Sequence, residues 1–424
     1  MGTPQSLIRA GVVLPLSALL VGPAFAQLTA QAVVPPGADP GRIERQVEPP
    51  RAPPSLGPAP VLPAPAAPAP ARPEVRFRLN AVQLEGTTVL GEAELAPIYR
   101  PLLGTEISLV ELNNLAGAIG ERYRAAGYVL AQAIVPAREI RDGRVRILVL
   151  EGFVAQARIE GAKRGESAIR GYLDRLVADR PLTQAALERY LLLINDLPGV
   201  PARATLTPAA AATGASDLIL AVTEKPQTAF ATADNRGTKF AGRNQFGVGA
   251  LFNSPFLSGD GLGFQVLTAT PLRELRYMEA THETPIGDDG WKLQLRGLHS
   301  ETHPSASLRP LDVEGENLLL SAGVSYPLLR SRAENLLLAA RFAYRDSTTD
   351  VFDNSIRLSD DRLRTLALSA SYDVVDDWQG INQIGLELTQ GLDVLNATPT
   401  GSPLLSRAGG RPDFTPHSPD DTVL

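Results

Sequence analysis

The chain has 424 residues, 44% of them hydrophobic, with 46 acidic residues against 40 Lys and Arg and a formal net charge of −6. That length accommodates two or three domains, and the acidic balance excludes a surface built to neutralise nucleic-acid phosphates. With no cysteine in the chain, disulfides, thiolate metal sites and a Cys nucleophile are excluded as well.

At the start of the chain, Arg9 precedes an apolar run over 10–21 that leads into Pro23-Ala24-Phe25-Ala26. The run is too short to cross a bilayer as a helix, and its small residues form a cleavage pattern. Residues 1–26 therefore read as a secretory signal peptide cut between Ala26 and Gln27. No later segment holds enough uninterrupted apolar residues for a membrane-spanning helix. Residues 27–74 are rich in Pro and Ala, the composition of an extended, semi-rigid spacer. Within it, DPGRIERQVE offers Asp39 as a cap and Pro40 in the first turn, which predicts a short helix around Arg42, Ile43 and Arg45 that Pro49-Pro50 stops.

Two segments, 75–152 and 153–225, then repeat one order of elements, β-α-α-β-β. In the first, 75–86 reads as a strand and GEAELAPIYRPLLG as a short helix. A longer helix carries Leu109, Leu112, Leu115, Ile119 and Tyr123 at helical spacing, and strands at 128–135 and 144–151 flank a turn at Asp142-Gly143. The second segment gives a strand at 154–160, helices at 168–177 and 183–193, and strands at 202–207 and 217–224. Each module can bury its helices on one sheet face. A free sheet edge or helix groove would accept an extended polypeptide by strand addition; the alternative is a passive spacer.

Beyond Lys225 the helical period gives way to alternation, in nine runs near 227–237, 243–253, 261–270, 275–284, 291–300, 316–326, 334–345, 362–373 and 380–392. The fourth is the weakest, because Met278, Ala280 and His282 make a poor apolar face. In ENLLLSAGVSYPLLRSRAENLLLAARFAYRD, Leu318, Leu320, Ala322, Val324 and Tyr326 share one parity and Asn317, Ser321, Gly323 and Ser325 the other. Alternation alone fits either a soluble barrel with Leu inside or a membrane barrel with Leu toward lipid. Lipid is favoured by run lengths of about ten residues, which a tilted transmembrane strand needs. It is favoured too by a small and polar opposite parity, and by short connections such as PIGDDG and VVDDWQG alternating with long ones at 303–315 and 346–361. Tyr326 and Tyr372 then fall at periplasmic strand ends and Tyr344 at an outer end, the positions of an aromatic girdle. The same parity turns Arg341, Arg345, Asp373 and Glu387 toward the lumen, where they either set its electrostatics or simply solvate it.

Candidate chemistry is sparse. His299 and His303 are one helical turn apart, but Glu301 does not directly follow the first His as a zinc protease motif requires, and the segment leads from a strand into a loop at Pro304. GDGLGF precedes a strand, as a hairpin turn does, where a nucleotide loop would precede a helix. No GxSxG occurs, so neither an enzyme nor a metal or cofactor site is expected.

The order of parts, a signal peptide, a short basic helix, a Pro-rich linker, two modules and a β-domain, resembles the outer-membrane transporters of two-partner secretion, the haemolysin-secretion and filamentous-haemagglutinin exporter family. The match is carried by FRLNAVQLEGTTVL, GERYRAAGYVLAQAIVPAREIRDGRVRILVLEG and ARIEG. It extends to DNRGTKFAGRNQFGVGALFNSPFLSGDGLGF, which resembles the family's first barrel hairpin with Asp234, Asn235, Gly237 and Gly242. The resemblance implies that 75–152 and 153–225 are periplasmic POTRA (polypeptide-transport-associated) modules of α+β fold. They would be followed over 226–393 by an antiparallel outer-membrane β-barrel of which nine strands are present, and over 394–424 by a loop and a tail outside the family pattern. The implied partners are a large secreted exoprotein, unfolded in transit, and the lipids of a Gram-negative outer membrane. No nucleic acid, small-molecule substrate, ATP or cofactor is implied. The segment at Arg42, Ile43 and Arg45 matches the position of a pore-plugging helix in relatives. Relatives carry further strands, an inward-folded loop and an aromatic terminal strand that this sequence does not show, so a C-terminally truncated member is expected. Two other readings remain at this stage: a periplasmic client-binding fragment without a functional pore, and an outer-membrane assembly factor.

Overall fold

The computed structural model describes residues 59–61, 76–136, 140–210, 212–376, 378, 380–407 and 409–414. The predicted signal peptide, its cleavage residues Ala26 and Gln27, and the short helix at Arg42, Ile43 and Arg45 lie outside them. In the first module, the strand predicted over 75–86 is broken into β1 (Arg76–Arg78) and β2 (Ala81–Glu85). The break has a local cause: Asn80 turns its amide N–H to Gly143 O at 2.7 Å and its side-chain Nδ2 to Asp142 O at 2.9 Å. Gly143, at φ 72°, is required there, since a Cβ would lie 2.2 Å from Arg78 O.

Helices α1 (Glu92–Tyr99) and α2 (Leu109–Ala125) follow, with β3 (Glu106–Ser108) between them pairing with β1. Ser108 caps α2 reciprocally: its hydroxyl accepts from Glu111 N at 3.2 Å, and the Glu111 carboxylate accepts from Ser108 N at 2.6 Å. Of the predicted stripe, Leu112, Leu115, Ile119 and Tyr123 are buried and Leu109, the first residue of the helix, is only partly so. Strands β4 (Gln132–Ile134), β5 (Ile140–Arg141) and β6 (Arg144–Leu150) complete the module, in the order β2-β6-β4 with β5 also on β6. The strand predicted over 128–135 shrinks to three residues because Tyr128 N bonds back to Tyr123 O and Ala131 N to Tyr128 O, which makes a turn of its first half.

The second module comprises β7 (Phe153–Glu160), α3 (Glu166–Ala178), α4 (Gln184–Asn195), β8 (Ala202–Pro208) and β9 (Ala215–Val222), with sheet order β7-β9-β8. Its core joins Ile169, Leu173, Leu176, Leu187 and Ile194 from the helices to Leu206, Leu218 and Leu220 from the sheet. The repeat extends to a polar detail. Glu151, just past β6, accepts from Thr88 N, Val89 N and the Tyr123 hydroxyl, and Glu224, just past β9, accepts from the N–H groups of Lys163, Arg164 and Gly165. In both modules a carboxylate ties the last strand to the turn that enters the first helix.

Nine strands then form one antiparallel meander: β10 (Gln227–Asp234), β11 (Asn244–Asn253), β12 (Gly261–Thr270), β13 (Leu275–Ile286), β14 (Trp291–Thr302), β15 (Glu314–Arg330), β16 (Glu334–Val351), β17 (Ile356–Val375) and β18 (Ile381–Gly391). The weak fourth run is a full strand, β13, held by polar contacts: Glu279 pairs with Arg296 at 2.6 Å and Glu283 with Lys292 at 2.8 Å across β13 and β14. The long loop expected over 346–361 is instead a continuation of β16 and β17, closed by a turn whose Phe352, Asp353 and Asn354 all have positive φ. Cross-strand pairing explains it, since Arg357 meets Asp350 at 2.9 and 3.0 Å and the β-formers Thr348, Thr349 and Ile356 continue the ladder. The chain after Gly391 folds back on this hairpin, with Thr398 N on Arg362 O and Asp360 N on Leu404 O. Among the described residues, no helix is long and apolar enough to cross a membrane, and β10 and β18 are not paired to each other.

Candidate functional site

The strand register fixes which residues share a face. One row across five strands reads Leu293, Val324, Ala340, Leu368, Leu388; the next row, on the other face, reads Gln294, Gly323, Arg341, Ala367, Thr389. The first face is apolar and open: Leu295, Leu320, Leu338, Leu366, Leu368, Leu386 and Leu388 are all exposed. A continuous exposed apolar surface of that extent needs a non-aqueous neighbour, and apart from the eight-residue β10 the strands run to between ten and twenty residues, enough for a tilted crossing of a bilayer. The polar face carries the pairs Glu279–Arg296 and Glu283–Lys292, the Tyr277 hydroxyl on Glu279 at 2.5 Å, and Arg341 opposite Glu387 at 3.7 Å. In hydrocarbon these groups would be costly; on a watery lumen they are not.

The residues singled out from sequence fall as follows. Arg341 and Glu387 are brought together on the polar face. Asp373, on the same face, is buried and accepts from Gln383 Nε2 at 2.9 Å. Arg345 lies on that face too, opposite Leu319, while its backbone carbonyl accepts from Arg364. Asp234 accepts from Arg236 N in the bend after β10 where Asn235 sits, and Gly237 and Gly242 close the turn. A Cβ on Gly237 would lie 1.8 Å from Gly242 O, and one on Gly242, at φ 81°, would lie 2.4 Å from Ala269 Cβ. Tyr326 and Tyr372, near their strand ends, bond to Asp289 and Glu334, whereas Tyr344, expected at an outer end, lies inside β16 because that strand continues to Val351, and bonds to Asp346. His299 contacts Glu301 and His303 contacts Glu314. Among the described residues, no group of three or more metal-ligating side chains converges.

Sequence reasoning missed the seam beneath the sheet. The short turns at one end of the meander rest on α3 and α4 of the second module. Arg330, at the end of β15, makes a bidentate pair with Asp196, and its third contact is Asn335 Oδ1 at 2.9 Å. Arg189 of α4 donates to Pro327 O at 2.8 Å and Asp289 O at 3.0 Å and lies over the Tyr326 ring, which itself stacks on Trp291 at 4.8 Å. Arg175 of α3 grips Asp288 at 3.0 and 2.8 Å, and that ion pair holds the Asp288 carboxyl below its ordinary pKa. Ala168 N donates to Ser258 Oγ and Asn253 Nδ2 to Lys225 O. The only sequence signal was the clustering of acids and arginines, DD and RSR, in turns that need no charge of their own.

A two-faced transmembrane meander seated on a β-α-α-β-β module defines the outer-membrane POTRA and β-barrel class. Residues 77–152 match a family described as POTRA domain, ShlB-type, and residues 214–416 match haemolysin secretion/activation protein ShlB/FhaC/HecB. The chain belongs to this family of outer-membrane proteins with periplasmic POTRA domains. It is 27% identical over 282 residues to the heme/hemopexin transporter protein HuxB of Haemophilus influenzae (strain 86-028NP), covering 65% of this chain and 50% of that one. To the outer membrane transporter CdiB of Escherichia coli it is 22% identical over 284 residues, covering 62% of this chain and 48% of that one. The solved structure of CdiB from Escherichia coli superimposes with a TM-score of 0.63 at 20% identity, over 81% of this chain and 64% of that chain. The chain thus spans about half the length of the relatives it matches.

Proposed function

We propose that this protein captures an extended polypeptide partner in the periplasm through its POTRA modules and passes it outward through a β-barrel pore, as in two-partner secretion. One observation carries the reading: the sheet has an apolar face for lipid and a charged face for a lumen, and its short-turn end is locked onto the second module. A captured segment is thereby held at the mouth of the lumen. Arg341, Arg345, Asp373 and Glu387 line the conduit, and the hairpin of Asp234, Asn235, Gly237 and Gly242 shapes its first outer turn. The signal peptide cut between Ala26 and Gln27 delivers the chain to the periplasm, and the segment at Arg42, Ile43 and Arg45 corresponds in sequence order to the pore-plugging helix of relatives. The client is a large secreted exoprotein that crosses unfolded, and the transport needs no catalytic step or cofactor.

The test is secretion. With the partner polypeptide co-expressed, it accumulates in the medium when this protein is present and in the periplasm when it is absent, while the protein itself sediments with outer membranes. Recovery of the protein in the soluble periplasm, or partner secretion that ignores its presence, overturns the reading.

A further inference from the structure

Residues 59–61 of the Pro-rich linker are described, and they lie on the second module. Val61 makes an isolated parallel bridge to Thr205 of β8: its N–H donates to Ala204 O at 3.0 Å, and its carbonyl accepts from Leu206 N at 3.0 Å. β8 is an edge strand, paired among the described residues only to β9 and to this one residue. Residues of an edge strand alternate in the direction of their backbone groups, so Ala204 and Leu206 aim N–H and C=O outward while Thr205 bonds inward to β9. The edge is a strand acceptor, and the chain supplies its own occupant.

The occupant is poorly suited to the place. Val61 keeps its side chain exposed, so the contact is backbone alone. Continuing the same register calls on an N–H at position 63, where Pro63 has none. A proline-poor extended segment in this place would add bonds at Leu206 O and Ala204 N that the linker leaves unmade. The linker holds its position because it is tethered, which gives even a short contact a high effective concentration.

We infer that the outer edge of β8 is the surface on which the module accepts an extended, proline-poor client segment in parallel orientation, and that Val61 is its resident competitor, displaced when the client arrives. This rests on the proposed capture of a polypeptide by the modules and specifies the edge and its control.

The chain's lack of cysteine makes the test direct. Adjacent strands lie about 4.8 Å apart, within disulfide range, so Val61→Cys with Thr205→Cys in the full-length, detergent-purified protein reports linker docking. The probe is a fluorescent ten-residue Thr/Val/Asn peptide without proline. The pair is expected to oxidise readily, the peptide to slow that oxidation, and the oxidised protein to lose peptide binding that reduction restores. Val61→Pro, which deletes the donor, is expected to bind the peptide about three- to thirtyfold more tightly. Absence of the 61–205 disulfide overturns the competitor while leaving polypeptide capture standing. A disulfide that forms without altering peptide binding overturns the assignment of the edge, and failure of every form to bind peptide removes both the edge and the capture reading. Secretion of the partner, measured separately, distinguishes that last outcome from failure of export itself.

Discussion

Arg330 and Asp196, 134 positions apart, meet at the seam between sheet and second module with Nε–Oδ2 and Nη2–Oδ1 both 2.7 Å. The guanidinium side chain is 4% exposed and the carboxylate 23%, so each charge depends on the other in a setting where water is scarce. Removing one partner strands the second, which for buried pairs costs about 3–5 kcal/mol, whereas removing both costs far less. Asp196→Ala or Arg330→Ala is therefore expected to loosen the module from the sheet. The double variant should be closer to the original than the sum of the singles. Spin-label distances between α4 and the turn at 331–333, with urea titration, measure the effect. Strict additivity would show that the seam is held by something else.

The acceptor carboxylates Glu151 and Glu224 give the modules a pH dependence with a definite sign. Burial alone pushes each carboxyl up. Bonds from Thr88 and Val89 in one case, and from the Gly165, Lys163 and Arg164 N–H groups in the other, outweigh it and hold both below the ordinary range. A depressed carboxylate stabilises the fold fully above the unfolded pKa of about 4.3, and that contribution is lost as pH falls through the folded value. The modules should weaken below about pH 4. Glu224→Gln should cost about 1–3 kcal/mol at neutral pH and remove its share of the acid slope. Hydrogen exchange at 163–165 as a function of pH checks both, and an unchanged slope in the variant would count against the assignment.

What the sequence disclosed follows from range. Period-two alternation and the helical stripe of Leu112, Leu115, Ile119 and Tyr123 are written in near neighbours, so strands, helices and the two faces could be read directly. The split of β1 from β2 depends on Asn80 reaching Asp142, and no local pattern encodes that. The fourth run was the faintest of the nine because its apolar face is poor, while cross-strand pairing of Glu279 and Glu283 with Arg296 and Lys292 on the next strand supports it. The continuation of β16 and β17 was hidden by polar residues that mimic a loop until Asp350 is seen to face Arg357. The seam was least legible of all, since its partners lie as far apart as Arg175 and Asp288.

The first hairpin makes a sharper demand on glycine than most turns. Gly237→Ala drives a methyl against Gly242 O, and Gly242→Ala adds a strained left-handed residue, about 1–2 kcal/mol, to a clash with Ala269. Gly385, with nothing within 4 Å of its Cβ position, is the control. Either hairpin variant should lower the temperature at which the folded band is lost on unheated gels, and Gly385→Ala should leave it in place. Equal behaviour of the three would mean that the hairpin tolerates more room than the geometry allows.

The orientation of the sheet is open to a test at two adjacent residues. Leu320 lies in the apolar row with Gly297 and Tyr344, and Ser321 in the polar row with Arg296 and Ala343. If the first row meets acyl chains, a spin label at 320 relaxes faster with oxygen and one at 321 faster with a nickel chelate. Energetics should follow: Leu320→Arg places a charge in hydrocarbon, which costs about 2–4 kcal/mol near the bilayer midplane, and depletes the outer-membrane form. Ser321→Arg adds a cation beside Arg296 in the lumen and should leave insertion intact while shifting lumenal electrostatics. The opposite pattern would turn the sheet inside out, and the polar pairs Glu279–Arg296 and Arg341–Glu387 would then have to sit in lipid, which their desolvation cost forbids.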